Sequence, residues 1–300
     1  MDILDAQIKT LERDGVVILE NALSYEELTY LHKRYSGGWR EILDNFSTLK
    51  WTEIKFNPDC QINMGFLGKD LYDGHHIAEY KSTGILDMSN GRYDFTYGLE
   101  DVKIQSSDIN YIITKMLKNE YNSYLGGLPL LDNIDFPNQR YKSNLPQQNS
   151  NGKWHRDAYS LFDNETFDMA LPPFYYTVLI PLFTMQTTRG RNTEFIPGSH
   201  RVNLAAHYNI TNTAELNQWC SRQKTIKLNC KPGDVCIFHG YTIHRGIETN
   251  NAEQESAHNY KFNNFNNSGN SGNSGNSGLL YAVYKKNWYN DEPTDNYVVY

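Results

Sequence analysis

The 300-residue chain lacks a strongly basic segment, an apolar stretch long enough to cross a membrane, and more than four cysteines. A net charge of −7 makes a nucleic-acid backbone an unfavourable partner. No segment reaches the length of a membrane span, and the N-terminus "MDILDAQIKTLERDG" is too polar for a secretory signal. The cysteines follow neither metal-site nor disulfide-framework spacing, so we expect reduced thiols in a cytoplasmic protein: Cys60, Cys220, Cys230 and Cys236.

A glycine-rich phosphate loop is also missing, which disfavours a nucleotide-binding α/β fold. Short strand-like segments appear instead in the second half of the chain. "FYYTVLIPLF", "TEFIPGSH", "KTIKLNC", "DVCIFHG" and "LLYAVYKKNWY" are rich in β-branched and aromatic residues, and turns such as Pro197-Gly198 separate them. This pattern predicts a mainly β protein built as a double-sheet barrel or jelly roll.

The N-terminal part, residues 1–45, predicts a strand followed by a helix. Val16 to Leu19 form a short β-rich run. Ser24 and Glu27 have capping-box spacing, and Leu23 and Leu28 have the spacing of a hydrophobic staple. Residues 46–150 are less periodic, and we expect loops there with a few strands and a helix near 106–121.

Residues 267–278 are four copies of Asn-Ser-Gly. Such a tract offers no apolar surface to offset the entropy lost on ordering, so it predicts a flexible loop that spans about 263–278. Because an apolar, aromatic strand follows it, we expect this loop to join two strands of one sheet.

The segment "WHRDAYSLF" places His155 and Asp157 two residues apart, so on a strand both side chains point the same way. Together with a distant histidine they form the donor set of non-haem Fe(II) oxygenases, which is two imidazoles and one carboxylate. The pair alone favours a buried histidine–aspartate hydrogen bond, because this spacing is common in proteins. His244 in "IHRG" and His239 in "IFHG" are both candidates for the distant histidine.

The chain resembles the phytanoyl-CoA dioxygenase-like family of Fe(II)/2-oxoglutarate-dependent oxygenases. The resemblance runs in order from about residue 8 to about 292, through "DGVVILENALSYEEL", "GRYDF", "WHRDAYSLF", "LPPFYYTVLIPLF", "TEFIPGSHR", "GDVCIFHGYTIHRG" and "LLYAVYKKNWY". It implies one domain over residues 1–300, with a double-stranded β-helix core at 151–292 and N-terminal helices packed on one sheet.

The resemblance also implies a site and a reaction. Its metal ligands fall on His155, Asp157 and His244, and the "IHRG" motif selects His244 over His239. Fe(II) would be the metal, and 2-oxoglutarate and O₂ the co-substrates. The carboxylate of Asp157, which related halogenases lack, favours hydroxylation or a related oxidation of a small organic substrate. Nothing in the sequence marks a coenzyme A pocket or an oligomeric state.

The chain departs from the family in one respect, because it lacks the arginine that pairs with the far carboxylate of 2-oxoglutarate. Its expected position is Ser277, and no arginine follows Arg245. Arg245 and Lys261 are the candidate replacements. Two alternatives follow from this departure: a cupin-like metalloenzyme that does not use 2-oxoglutarate, and a non-catalytic jelly roll that binds a small ligand or a partner.

Overall fold

The computed structural model describes residues 3–56, 76–81, 83–87, 93–97, 104, 106–129, 154–158, 171–182, 192–247, 278–289 and 297–299. The helices of these ranges are α1 (Ile3–Asp14), α2 (Tyr25–Asp44), α3 (Ser107–Leu117), α4 (Leu204–Tyr208) and α5 (Thr213–Cys220), with short 3₁₀ turns at Phe46–Thr48 and Ser199–Arg201. The strands are β1 (Val16–Leu19), β2 (Thr52–Phe56), β3 (His76–Tyr80), β4 (Thr83–Asp87), β5 (Tyr93–Tyr97), β6 (Tyr121–Pro129), β7 (Tyr175–Pro181), β8 (Asn192–Phe195), β9 (Ile226–Lys227), β10 (Val235–His239), β11 (His244–Ile247), β12 (Gly278–Lys286) and β13 (Tyr297–Val299).

The strands form two sheets. The large sheet has the order β1-β10-β7-β12-β6-β5-β4-β3-β2-β13, and the small sheet has the order β11-β8-β9. From β7 onward the chain alternates between them, because β7, β10 and β12 lie in the large sheet and β8, β9 and β11 in the small one. All neighbouring strands are antiparallel. Two facing antiparallel sheets joined in this way are a jelly roll, so the predicted fold is confirmed.

Each face of the large sheet packs against a different layer. Its outer face meets the N-terminal helices in one core, which includes Leu11 of α1, Leu31 of α2, Ile113 of α3 and Val178 of β7. The inner face meets the small sheet in a second core, which includes Leu179, Phe195, Phe238 and Leu279. Every residue of β7 is buried because both of its faces are covered. Within the described ranges, no helix has the length and apolar character that a membrane crossing requires.

The local predictions for the N-terminal part are confirmed. Val16–Leu19 is strand β1 and pairs with β10. The Ser24 backbone amide donates to Oε2 of Glu27 at 2.8 Å, and the Glu27 amide donates to Oγ of Ser24 at 3.2 Å, which is the reciprocal pattern of a capping box. Leu23 and Leu28 are both buried. Helix α3 lies inside the predicted 106–121 window, whereas helix α1 was not predicted.

The Asn-Ser-Gly tract lies almost wholly outside the described residues, so its predicted position between two strands of one sheet stays a prediction. The last described strand before it, β11, belongs to the small sheet, and the strand after it, β12, belongs to the large sheet. The last residue of the tract, Gly278, begins β12.

Candidate metal site

Backbone pairing between residues 154–158 and strand β11 brings His155 and His244 together. The His155 amide donates to the His244 carbonyl at 3.0 Å, and the His244 amide donates to the His155 carbonyl at 3.0 Å. This isolated antiparallel bridge adds the 154–158 segment to the edge of the small sheet beside β11. The Asp157 amide donates to the carbonyl of Gly240 at 2.9 Å, which fixes the segment after the bridge. Directly paired antiparallel residues point to the same face, so both imidazoles face the same side.

The side chains of His155, Asp157 and His244 converge on one point. One donor atom from each lies within 4.8 Å of the others. Asp157 Oδ1 is 3.3 Å from Nε2 of His244 and 3.8 Å from Nε2 of His155. Ligands about 2.1 Å from one octahedral ion lie about 3 Å apart, so these spacings are slightly wider than a bound metal needs.

The environment of His244 leaves its Nε2 atom available as a ligand. Its Nδ1 atom lies 2.9 Å from the carbonyl oxygen of Thr242. A carbonyl only accepts hydrogen bonds, so the ring proton is on Nδ1 and the lone pair is on Nε2. Phe195 stacks on the ring at 5.3 Å, and Phe238 packs at 4.8 Å. Apolar packing and the Thr242 carbonyl therefore fix both the tautomer and the orientation of the ring.

Asp157 is held in a similar way. Its Oδ2 atom accepts a 2.8 Å hydrogen bond from the hydroxyl of Thr177 on β7, which leaves Oδ1 directed at the histidines. Burial raises the pKa of Asp157, but the positive charge that His244 and His155 carry when protonated and the Thr177 hydroxyl outweigh this effect and lower the pKa to about 2. The carboxylate is therefore ionised at neutral pH, as a metal ligand must be. The hydrogen bond from Thr177 to Asp157 was not predicted from the sequence, although a threonine in an otherwise aromatic and aliphatic strand is a signal for a polar partner.

Arg245, a candidate anchor for 2-oxoglutarate, does not join this cluster. It follows His244 on β11, so its side chain points to the opposite face of the small sheet. There its guanidinium lies 3.4 Å from the Glu194 carboxylate and 4.3 Å from the centre of the Trp154 ring. The other candidate, Lys261, lies outside the described residues.

His239 also lies away from the cluster. It ends β10 of the large sheet, whereas His244 begins β11 of the small sheet, so the two histidines are not on one strand. The Nδ1 atom of His239 accepts a 3.0 Å hydrogen bond from the Tyr241 amide, and its ring packs against Tyr176 and His200. Burial, together with the nearby charges of His200 and Arg156, lowers the pKa of His239 to about 3. It is a neutral histidine on the helix side of the sheet.

A cavity of about 560 Å³ adjoins His239 on that helix side. Its walls include Leu11, Met116, Phe174 and Tyr176, and none of the three clustered residues lines it. This cavity and the His155–Asp157–His244 cluster are therefore two separate features of the protein.

The sequence model of the phytanoyl-CoA dioxygenase family matches residues 129–254. This segment contains all three clustered residues and strands β7 to β11. The cluster thus lies within the segment that is similar to the phytanoyl-CoA dioxygenase family, and the resemblance inferred from the sequence is confirmed. A comparison with curated proteins gave no significant match.

Several solved structures are similar to the whole chain. AviO1 from Streptomyces viridochromogenes Tue57 is 11% identical, with 97% of this chain and 99% of that one covered and a TM-score of 0.49. EctD from S. alaskensis, solved with 2-oxoglutarate and 5-hydroxyectoine, is 14% identical, with 95% and 76% covered and a TM-score of 0.48. The epimerase SnoN from nogalamycin biosynthesis, solved with Fe³⁺ and α-ketoglutarate, is 13% identical, with 94% and 83% covered and a TM-score of 0.48. At these identities and scores, the similarities carry no functional argument for this protein.

Proposed function

We propose that the protein is a non-haem Fe(II)- and 2-oxoglutarate-dependent oxygenase that hydroxylates a small organic substrate. The observation that carries the proposal is the convergence of His155, Asp157 and His244 within 4.8 Å in a phytanoyl-CoA dioxygenase-type domain. Two imidazole nitrogens and one carboxylate oxygen on one side of an ion leave the opposite side open to a bidentate 2-oxo acid and O₂.

The donor set fits Fe(II). His244 presents Nε2 because Nδ1 is hydrogen-bonded to Thr242, and Asp157 presents Oδ1 because Oδ2 is hydrogen-bonded to Thr177. Iron bound here would supply the oxidising chemistry, with electrons from decarboxylation of the 2-oxo acid. The residues of the chain would position this chemistry, and Phe195 and Phe238 enclose the His244 ring, which is only 8% exposed.

A second candidate function is that of a cupin-like metalloenzyme that uses the same ligands without 2-oxoglutarate. Two observations favour it. No arginine follows Arg245, and the barrel interior around Leu279, two residues after the expected arginine position, is lined by apolar residues and buried cysteines in the described part of the chain. An unpaired carboxylate there would lose its hydration without gaining a counter-charge.

Anaerobic titration of the Fe(II)-loaded protein with 2-oxoglutarate tests the proposal. We expect a metal-to-ligand charge-transfer absorption band that saturates with 2-oxoglutarate, and uptake of one iron per chain. Asp157→Ala and His244→Ala should each lose iron, while Arg156→Lys is the matched control. Arg156 lies between the first two ligands, but its guanidinium donates to backbone carbonyls of Ser199 and Val202 on the outer side of the segment.

The outcomes separate the two candidates. Iron uptake without any 2-oxoglutarate band at millimolar concentration would contradict the oxygenase and favour the cupin-like enzyme. Unchanged iron content in an Asp157→Ala, His244→Ala double variant would contradict both, and would leave a jelly roll without a catalytic metal.

A further inference from the structure

Strand β12 carries two adjacent buried lysines that face opposite sides of the large sheet. Its even-numbered residues Leu280, Ala282 and Tyr284 belong to the core beneath the helices. Lys286 continues this series, since its ammonium donates to the Leu117 carbonyl at the end of α3. The odd-numbered residues belong to the interior of the jelly roll. Lys285 therefore points into the jelly roll, and it is 8% exposed.

The position of Lys285 places it beside the metal-ligand cluster. Val283 pairs directly with Thr177, the residue whose hydroxyl is hydrogen-bonded to Asp157. Lys285 pairs with Tyr175, one step further along the same face. Residues two apart on a strand are separated by roughly 6.6 Å, and diagonal neighbours on paired strands by about 7–8 Å. Lys285 therefore lies on the same inner face of the large sheet as Thr177, as its diagonal neighbour at about 7–8 Å. Thr177 in turn contacts Asp157 of the cluster.

The surroundings of Lys285 on this wall are mainly apolar. Val283 and Tyr175 pack with Ala158, Tyr241 and Tyr289 in one buried cluster. A lysine is rarely buried to this extent unless it meets an anion or several acceptors, because its charge is costly to remove from water. Lys285 makes contacts in the resting protein. A ligand carboxylate that enters the interior would join or replace them.

We infer that Lys285 binds a carboxylate of the molecule that reacts at the His155–Asp157–His244 cluster. This inference rests on the proposed function, because it assigns the recognition of an acid to the same site. The carboxylate has two possible sources: the far end of 2-oxoglutarate, or an acidic group on the substrate. Lysine supplies a point charge on a flexible stem, so it suits either source without fixing a bidentate geometry.

The test compares 2-oxoglutarate with 2-oxopentanoate, which has the same chain length and the same chelating end but no far carboxylate. Both are titrated anaerobically into the Fe(II)-loaded full-length protein and into Lys285→Met and Lys285→Arg. The matched control is Lys286→Met, which removes the neighbouring buried lysine from the opposite face. We expect Lys286→Met to lower the melting temperature, since it breaks the contact with α3, but to leave both affinities unchanged.

If Lys285 binds 2-oxoglutarate, Lys285→Met weakens 2-oxoglutarate binding at least about tenfold, leaves 2-oxopentanoate binding unchanged, and is partly rescued by Lys285→Arg. If Lys285 binds the substrate, Lys285→Met leaves the affinities for both 2-oxo acids unchanged. The same variant then abolishes the binding of monocarboxylate probes such as 4-phenylbutanoate, whose binding to the wild-type complex is measured by calorimetry. Unchanged binding of all three acids overturns the inference.

Two further controls distinguish a missing role of Lys285 from a failure of the proposed function and from a failure of the variant to fold. Iron content is measured for every variant, so a wild-type protein that binds no iron or no 2-oxoglutarate contradicts the proposed function rather than the role of Lys285. If Lys285→Met does not fold, Lys285→Gln replaces it, because glutamine keeps a polar end with a hydrogen-bond donor while it removes the charge.

Discussion

Thr177 and Asp157 are hydrogen-bonded across the jelly roll, with 2.8 Å between the threonine hydroxyl and the carboxylate Oδ2. Thr177 belongs to the large sheet, and Asp157 belongs to the segment that extends the small sheet. The contact therefore ties the candidate metal ligand to the opposite wall of the barrel and fixes which carboxylate oxygen faces the histidines.

Replacement of Thr177 by valine should weaken metal binding. The valine is nearly isosteric but cannot donate to Asp157, so we expect Fe(II) affinity to fall by roughly 10–100-fold, as measured by competition with a chelator. Thr177→Ser keeps the hydroxyl and should retain most of the affinity. Equal affinities in the two variants would show that the hydrogen bond does not orient the ligand.

Replacement of Arg245 by glutamine should affect stability and not co-substrate binding. The arginine contacts the buried Glu194 carboxylate and the Trp154 ring on the opposite face, so we expect a loss of roughly 2–4 kcal/mol in the free energy of unfolding, because Glu194 is left without its cation. Urea denaturation measures that loss, and anaerobic titration should give the wild-type affinity for 2-oxoglutarate. A large drop in that affinity would restore Arg245 as the co-substrate anchor.

His239 should make stability depend on pH. Well above pH 6.5 this histidine is neutral in both the folded and the unfolded state. Below about 6.5 the unfolded chain takes up a proton that the folded protein accepts only near pH 3, so the free energy of unfolding falls as the pH decreases through this window. From pH 7 to pH 5 the loss from this residue is about 2 kcal/mol.

The measurement for His239 is urea denaturation of the wild type and of His239→Gln at both pH values. Glutamine does not titrate, so the variant should lose about 2 kcal/mol less than the wild type on acidification. The positive groups near His239, Arg156 and His200, are present in both proteins. Parallel losses in the two proteins would show that His239 takes up its proton equally in both states.

Gly15 should be intolerant of a side chain. Its φ angle is +72°, and an added Cβ atom would lie 2.3 Å from Nδ1 of His200 and 2.5 Å from Oγ1 of Thr242. We expect Gly15→Ala to cost about 2 kcal/mol or more in the free energy of unfolding. Gly246→Ala is the control, since a Cβ there meets nothing within 4 Å, and its effect should stay within about 0.5 kcal/mol. Similar melting temperatures for the two variants would contradict this packing.

The Asn-Ser-Gly repeats should be dispensable for folding. Replacement of residues 267–277 by a short turn shortens the connection between β11 and β12, which changes the closure free energy by only a few tenths of a kcal/mol. We expect the melting temperature to stay nearly constant in a calorimetric scan. A large decrease would show that the repeats pack on the rest of the protein.

Local residue preferences made several secondary-structure elements of this protein predictable from its sequence. The aromatic and β-branched run at Tyr175–Pro181 was predicted as a strand, and the Ser24–Glu27 spacing as a helix start, because strand and helix-cap preferences act over a few residues. The spacing of His155 and Asp157 predicted that their side chains share one side, although the segment is a single β-bridge followed by a bend and not a regular strand, and the family resemblance selected His244.

The tertiary structure decided the features that depend on pairing between distant strands. It placed His239 and His244 in different sheets, gave Asp157 its hydrogen bond from Thr177, and directed Arg245 outward. It also turned Lys285 into the barrel and Lys286 towards α3. Alternation along a strand shows which residues share a face, but which face looks inward is set by the layers that pack on either side. That information lies in contacts between residues far apart in the chain, and no local pattern contains it.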